Sequence, residues 1–316
     1  MAEFSSLTQN IHCIDALYIQ PRVASIYLLR EGDEVAIIET GTFHSVPNVL
    51  ATLQKLGIDR SQVKYVIPTH VHLDHAGGAG EMMRQFEQAS LIIHPRGARH
   101  MIDPSKLVAG TISVYGQQRF ERLYGSIEPI PEERIIIAED LACYYLQQRE
   151  LIFIDTPGHA RHHFCIYDQQ SNGVFTGDTF GISYDAMKSL PRGLLPTTPP
   201  SQFDPRALKM SVARILDFAP ERLYLTHYGE YIDPAAQLAS FNQWIDQYVA
   251  VCNSCDSAAD DYAEVLEQAL LQQVMNGLGD GNGADESLRR LVSQDMKLNA
   301  QGLAHWQGQR SNESAR

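Results

Sequence analysis

Short apolar runs separated by turn residues fill the first 230 positions of the chain. Three such runs lie between positions 11 and 38, and Gln20-Pro21 and Glu31-Gly32-Asp33 interrupt them. Runs rich in Ile, Val, Tyr and Leu are typical of β-strands, and Pro, Gly and Asp between them are typical of turns. The pattern predicts a β-meander at the start of the chain.

Other segments repeat their apolar residues every three or four positions, which is the period of a helix. Such spacing predicts a helix over 46–56, ended by Gly57, and another over 104–126. Asp204 followed by Pro205 has the chemistry of a helix start, and a further helix is predicted to begin near 234. Further strands are predicted in six places: 64–67, 90–94, 141–154, 164–167, 174–176 and 222–225. This mixture indicates an α/β protein.

A cluster of possible metal ligands follows the apolar run 64–67. His70, His72, Asp74 and His75 lie within six residues of one another. Neutral imidazole and carboxylate groups suit zinc and related divalent ions, and a turn at a strand end can aim alternate side chains into one pocket. The His-x-His pair can bind one ion and the Asp-His pair a second. A His-rich surface turn is the simpler alternative.

Three later turns make that alternative less attractive, because each follows an apolar run and carries one more ligand-type residue. His159 ends Thr156-Pro157-Gly158-His159, Asp178 lies in Thr176-Gly177-Asp178-Thr179, and His227 lies in Leu225-Thr226-His227. Strand ends are where irregular backbone presents functional side chains. The chain therefore carries a complete candidate set for a metal centre.

The order His-x-His-x-Asp-His, Gly-His, Gly-Asp, His resembles the signature of the metallo-β-lactamase-fold hydrolases, over about residues 8–250. The resemblance implies a four-layer αββα sandwich with two divalent ions at one edge, between the sheets. It also implies a ligand assignment: His70, His72 and His159 for the first ion, Asp74, His75 and His227 for the second, and Asp178 bridging both. The family commonly has Asp-x-Gly where this chain has Glu39-Thr40-Gly41, so Glu39 is expected to support the site.

The reaction expected from this resemblance is hydrolysis of an ester, thioester or lactone bond. Water between two ions has a pKa lowered towards ~7, and Asp74 is placed to orient it or accept its proton. Zinc is the expected metal, with iron or manganese as alternatives. Other functions stay open: a sulfur dioxygenase with one iron held by His70, His159 and Asp178, a phosphodiesterase, or a non-catalytic metal-binding sensor.

The substrate is less defined by the sequence. The turns that carry His159 and Asp178 resemble those of glyoxalase II-type thioester hydrolases. Lactonases of the family have a Tyr soon after the bridging Asp, and here the nearest is Tyr184. The irregular segment 180–203 is expected to line the substrate pocket because loops of this length are commonly functional. Tyr184, Lys188 and Arg192 are its candidate substrate contacts.

Composition narrows the possible partners. The formal net charge of −13 argues against nucleic acid, which requires a basic surface. No run approaches the about 20 apolar residues that a membrane-spanning helix needs. The first ten residues show no signal-peptide pattern, so we expect a cytoplasmic protein that acts on a small molecule.

We predict a catalytic domain over 1–250 and a helical extension over 251–316, packed on the core or at a homodimer interface. Cys252 and Cys255 have the spacing of a redox or zinc motif. No second such pair accompanies them, so they are interpreted as ordinary thiols.

Overall fold

The computed structural model describes residues 4–199, 202–257, 259, 261–278 and 286–314. The chain forms two compact units that alternate along the sequence. Unit 1 comprises Met1–Asp155, His162–Gly177 and Pro220–Ile232, and unit 2 comprises Thr156–Arg161, Asp178–Ala219 and Asp233–Arg316. These units do not follow the predicted division at residue 250, which stays a prediction.

Unit 1 contains two β-sheets. Among the described residues the first sheet has seven strands in chain order, from β1 to β7. The strands are β1 (Phe4–Ser6), β2 (Ile11–Asp15), β3 (Ser25–Glu31), β4 (Glu34–Ile38), β5 (Val63–Ile67), β6 (Ser90–Ile93) and β7 (Ile135–Ile137). The first four pair antiparallel, and β4 to β7 pair parallel. The predicted meander is confirmed.

The second sheet of unit 1 has the order β13-β12-β11-β10-β9-β8 within the described chain. Its strands are β8 (Cys143–Leu146), β9 (Arg149–Asp155), β10 (Phe164–Asp168), β11 (Gly173–Gly177), β12 (Arg222–Leu225) and β13 (Gly229–Ile232). All neighbours are antiparallel except β11 and β12, which run parallel. Because β11 and β12 are parallel, both strands end at the same edge of this sheet.

The helices of unit 1 lie between its strands in sequence. They are α1 (Val46–Lys55), α2 (Leu73–Ala76), α3 (Ala79–Gln85), α4 (Ala98–Ile102), α5 (Ser105–Tyr115) and α6 (Gln117–Tyr124). The single helix predicted over 104–126 is therefore two helices. Gly116 separates them with φ of 76°, a left-handed backbone conformation that glycine adopts without the steric cost of a Cβ atom.

The α-helices of unit 2, in the residues that the structure describes, are joined by irregular segments. They are α7 (Pro205–Leu216), α8 (Leu238–Ser254), α9 (Tyr262–Gly277) and α10 (Glu286–Ser314). The predicted cap of α7 is confirmed, because the Asp204 carboxylate accepts hydrogen bonds from the backbone N–H groups of Arg206 and Ala207. None of the described helices is long and apolar enough to cross a membrane.

Both faces of the first sheet are buried, which explains why its strands are continuously apolar in sequence. Ile26 and Leu28 belong to the core that includes Val49 and Leu53 of α1. Tyr27, between them, points to the other face, where its ring lies 5.2 Å from that of Phe175 in the second sheet. Its hydroxyl donates to the Leu225 carbonyl at 2.5 Å, so the two sheets of unit 1 are joined by both packing and a hydrogen bond.

A buried ion pair fixes the far end of the second sheet. Arg149 Nε and Nη2 lie 2.9 and 2.6 Å from the two carboxylate oxygens of Asp168, and neither side chain is exposed. Arg149 also donates to the Gln9 carbonyl, and Ser171 donates to Asp168. Every charged atom therefore has a partner, as a buried pair requires.

Removing one member of this pair tests its contribution. We expect Arg149→Met to lower the free energy of unfolding by about 3–5 kcal/mol, because Asp168 would remain buried without its cation. Lys64→Met is the matched control, since the Lys64–Glu34 pair is partly exposed and is expected to contribute about 1 kcal/mol or less. Urea titration of both variants measures the difference, and equal losses would contradict this account.

Candidate metal centre

The turn after β5 places the first four candidate ligands. β5 ends at Ile67, and Pro68, which has no backbone N–H, cannot continue the sheet. α2 begins after His72, so Asp74 and His75 lie in its first turn. The His75 carbonyl accepts hydrogen bonds from the N–H and the hydroxyl of Thr40, at 2.8 and 2.7 Å. This short helix is therefore held directly against the chain that leaves β4.

Glu39 is the centre of the hydrogen bonds beneath this turn. Its side chain is buried, and one carboxylate oxygen, Oε1, accepts from the hydroxyls of Thr69 and Thr226 at 2.6 and 2.9 Å. The same oxygen lies 3.0 Å from His75 Nδ1, and the other accepts from the Thr69 N–H at 3.1 Å. The expectation that Glu39 supports the site agrees with these contacts, and its extra methylene group does not prevent them.

His227 follows β12 and belongs to the same group. Its Nδ1 lies 2.8 Å from the Val23 carbonyl, which can only accept, so Nδ1 carries the proton. The Ser25 N–H donates to the Thr226 carbonyl at 2.7 Å. The Val23 carbonyl thus fixes the tautomer of His227, and Ser25 at the start of β3 helps to fix its position.

Asp74, His75 and His227 come together in unit 1. One ligand atom from each lies within 4.8 Å of the others. Asp74 Oδ2 is 3.7 Å from His75 Nε2 and 3.6 Å from His227 Nε2. Both imidazoles use Nδ1 for a hydrogen bond on the opposite side, so both present Nε2 towards the carboxylate. The two histidines are buried, whereas the Asp74 side chain is 23% exposed.

His70 and His72 form a second pair in unit 1. His70 Nε2 and His72 Nδ1 lie 2.8 Å apart. Thr69 donates its hydroxyl proton to Glu39, so the same oxygen accepts from His70 Nδ1 at 3.1 Å. This hydrogen bond leaves His70 Nε2 as the nitrogen that can bind an ion.

Unit 2 contains the remaining two candidate ligands. His159 Nε2 lies 3.5 Å from Asp178 Oδ2, and His159 Nδ1 lies 2.7 Å from the Thr197 hydroxyl. The turn before His159 packs on α7, because Ser211 donates to the Pro157 carbonyl at 2.6 Å and the Asp204 N–H donates to the Gly158 carbonyl at 2.8 Å. Thr197 had no signal in the sequence, since it lies 38 residues from the histidine that it contacts.

These donors fit divalent metal ions. The sets consist only of imidazole and carboxylate groups, which are ligands of zinc, iron and manganese. A metal-binding histidine usually gives its other ring N–H to a carboxylate, carbonyl or hydroxyl group. His75, His227, His70 and His159 all have such a partner: Glu39, Val23, Thr69 and Thr197 respectively.

Two further histidines lie against the pair of unit 1. The His163 ring centroid is 4.8 Å from that of His70, and His162 stacks on His70 at 6.2 Å. A Cβ atom at Gly177 would lie 2.4 Å from His163 Nε2 and 2.5 Å from the Thr69 hydroxyl, so only glycine fits there. His163 is fully buried, so its contact with the His70 ring is shielded from solvent.

The three candidate substrate contacts each have a partner inside unit 2. The Tyr184 hydroxyl lies 3.2 Å from both carboxylate oxygens of Asp295, and Lys188 lies 3.6 Å from Asp185. The Arg192 guanidinium lies 3.8 Å from the ring centroid of Trp244. Each of the three side chains thus has a contact inside unit 2. A role in substrate binding stays a prediction.

Comparison with known proteins identifies the family. The model of the metallo-beta-lactamase superfamily matches residues 19–227 of this chain. The chain belongs to the metallo-β-lactamase superfamily. The matched segment begins before β3 and ends at His227, so it includes every candidate ligand.

Curated relatives agree at low identity. The chain is 25% identical over 226 residues to the metallo-beta-lactamase fold-containing protein ST1585 of Sulfurisphaera tokodaii, which covers 70% of this chain and 79% of the relative. It is 24% identical over 172 residues to the acyl-coenzyme A thioesterase MBLAC2 of Gallus gallus, covering 51% and 58%. It is 25% identical over 162 residues to the atrochrysone carboxyl ACP thioesterase of Aspergillus fumigatus, covering 51% and 41%. The chain thus spans about half the length of these two thioesterases.

Solved structures show the same fold. The metallo-beta-lactamase family protein TTHA1429 of Thermus thermophilus matches with a TM-score of 0.68 and 18% identity, covering 98% of this chain and 95% of that one. The crystal structure of ST1585 matches with a TM-score of 0.62 and 20% identity, covering 94% and 99%. These likenesses confirm the predicted metallo-β-lactamase fold.

Replacement of the buried carboxylate tests whether it supports metal binding. We expect Glu39→Gln to weaken zinc affinity by about 10- to 100-fold, because His75 loses a charged acceptor for its Nδ1–H. Glu34→Gln, at the start of β4 and paired with the partly exposed Lys64, is the matched control and should leave affinity unchanged. Competition with a zinc-binding dye measures both, and an unaltered affinity in Glu39→Gln would show that Glu39 has only a folding role.

Proposed function

We propose that this protein hydrolyses an ester, thioester or lactone bond of a small molecule at a centre of two divalent ions, with zinc as the expected metal. The observation that supports it most is the group Asp74, His75 and His227. Each imidazole is fixed from behind by a hydrogen bond to Nδ1 and faces the same carboxylate oxygen with Nε2. Preoriented ligands of this kind are typical of metal sites rather than of surface histidines.

The full ligand assignment is part of the proposal. It assigns His70, His72 and His159 to the first ion and Asp74, His75 and His227 to the second, with Asp178 as the bridging ligand. Family membership supports this assignment, because the residues that carry the signature lie in the matched segment.

Divalent ions bound here would polarise the scissile carbonyl group and lower the pKa of an attacking water towards ~7. The protein would contribute position and proton handling. Asp74 is the partly exposed member of its group, so its carboxylate can reach a bound water, orient it and accept its proton. The buried histidines would hold their positions during the reaction because their outer nitrogens are already hydrogen bonded.

An acyl substrate is favoured over a nucleic acid. The relatives from Gallus gallus and Aspergillus fumigatus are both named as thioesterases, which supports a thioester or ester substrate. The net charge of −13 disfavours a polyanionic substrate. Possible homodimer formation and a cytoplasmic location stay predictions.

Metal analysis combined with one substitution tests the proposal. We expect freshly purified protein to contain about two ions per chain and to hydrolyse acyl esters or thioesters. Asp178→Asn is expected to reduce kcat by on the order of 10²- to 10³-fold, with loss of bound metal, because a bridging carboxylate would be removed. Asp246→Asn, whose side chain is 70% exposed on α8, is the control and should retain both properties.

Three outcomes would reject the mechanism. Full metal content and full activity in Asp178→Asn would exclude the bridging role. One iron per chain with oxygen uptake on a persulfide would identify a sulfur dioxygenase instead. Persistent hydrolysis after complete removal of metal by a chelator would exclude metal-assisted hydrolysis.

A further inference from the structure

α5 has an apolar surface that the rest of unit 1 covers only in part. No residue of this eleven-residue helix is fully buried. Leu107, Val108, Ile112 and Tyr115 are all half-buried, and they pack against a small cluster made of Leu73, Phe120 and Tyr124. An amphipathic helix normally buries such a face against the core, so half-covered side chains in one row indicate a surface that can receive a ligand.

This surface is continuous with the candidate metal centre. Leu73, which is 4% exposed, forms the floor of the cluster and is followed directly by Asp74. Burial raises the pKa of the Tyr115 phenol, and the nearby Asp74 carboxylate raises it further. A group bound along α5 would therefore lie beside the carboxylate that faces His75 and His227.

Three tyrosines form one side of the surface. The Tyr124 ring centroid lies 6.1 Å from that of Tyr18 and 6.0 Å from that of Tyr115. The hydroxyls of Tyr18 and Tyr124 are 3.1 Å apart, which joins the loop after β2 to α6. Burial also raises the pKa of Tyr124, so its phenol is uncharged at neutral pH.

The length of the segment gives an independent reason to look here for specificity. β6 and β7 are parallel neighbours, and a crossover between such strands needs about a dozen residues. In this chain it extends from position 94 to position 134 and contains α4, α5 and α6. The topology does not require that length, and long connections of this kind are commonly functional.

We propose that the surface formed by Leu107, Val108, Ile112 and Tyr115 binds an uncharged alkyl or aryl acyl group, and thereby selects the substrate. The inference rests on the proposed hydrolase function and adds its substrate class. An apolar group gains free energy from burial against these side chains. The scissile bond would then lie at the metal centre and the acyl chain along α5.

The test compares acyl chains of different length with one pair of variants. The substrates are p-nitrophenyl esters and N-acetylcysteamine thioesters of acetate and octanoate. Ile112→Asn removes an apolar side chain from the surface. Val114→Asn is the matched control, because Val114 lies on the same helix, is 59% exposed and is not part of the cluster. Calorimetric titration with octanoate and with butyrate measures binding without any turnover.

We expect kcat/KM of the wild type to be at least about tenfold higher for octanoyl than for acetyl substrates, since each fully buried methylene is worth roughly a factor of four. Ile112→Asn should lose about tenfold on the octanoyl substrates and less than about twofold on the acetyl ones. Val114→Asn should behave as wild type. Octanoate should bind more tightly than butyrate to wild type, and this preference should disappear in Ile112→Asn.

The outcomes separate this inference from the proposed function. Hydrolysis with no dependence on chain length, or equal losses in the two variants, would overturn the acyl surface and leave the hydrolase intact. Tight octanoate binding that Ile112→Asn abolishes, without hydrolysis of any substrate, would support the surface and reject the hydrolase. Equal binding of octanoate and butyrate would overturn the inference whatever the activity. A change of molecular mass in Ile112→Asn, with acyl preference unaltered, would show that a second copy of the chain covers α5.

Discussion

The geometry of unit 1 depends on the hydrogen bonds that the buried carboxylate of Glu39 accepts. This carboxylate lies at the end of β4 and accepts hydrogen bonds from Thr69 after β5, from His75 in α2 and from Thr226 after β12. Burying a carboxylate costs free energy unless hydrogen-bond donors surround it. The three segments that supply these donors are therefore stabilised jointly. Thr69 and His75 follow β5 of the first sheet, and Thr226 follows β12 of the second. The same hydrogen bonds therefore constrain both the packing of the two sheets of unit 1 and the arrangement of its candidate ligands.

Hydrogen bonds within each unit show why the candidate ligands need no large rearrangement of their own side chains to bind an ion. The donors that face away from the ligand sets are already paired: His227 with the Val23 carbonyl, His70 with Thr69 and His159 with Thr197. These partners determine which ring nitrogen each histidine can offer to a metal ion. The entropy of ordering the side chains is therefore lost during folding and not during metal binding.

The sequence predicts the candidate ligands better than it predicts the groups that hold them by hydrogen bonds. His70, His72, Asp74 and His75 are contiguous, and the later ligands each follow an apolar run, so local patterns are enough to find them. Val23 supports His227 through a backbone carbonyl, which any residue type has, and Thr197 is distant in sequence from His159. The sequence also did not predict that Gly116 divides the helix expected over 104–126. The apolar periodicity continues across this glycine although the chain turns there.

The candidate ligands of unit 1 lie in closely packed surroundings, whereas α5 lies where its sequence can change more easily. The ligands of unit 1 lie at strand ends and in α2, where buried hydrogen bonds and close packing around Gly177 leave little space for change. α5 has no buried residue, and it belongs to a crossover far longer than its topology requires. Substitutions on α5 cost little stability because few contacts are lost. Under the proposed role of α5, substrate preference can therefore change there without disturbing the candidate metal ligands.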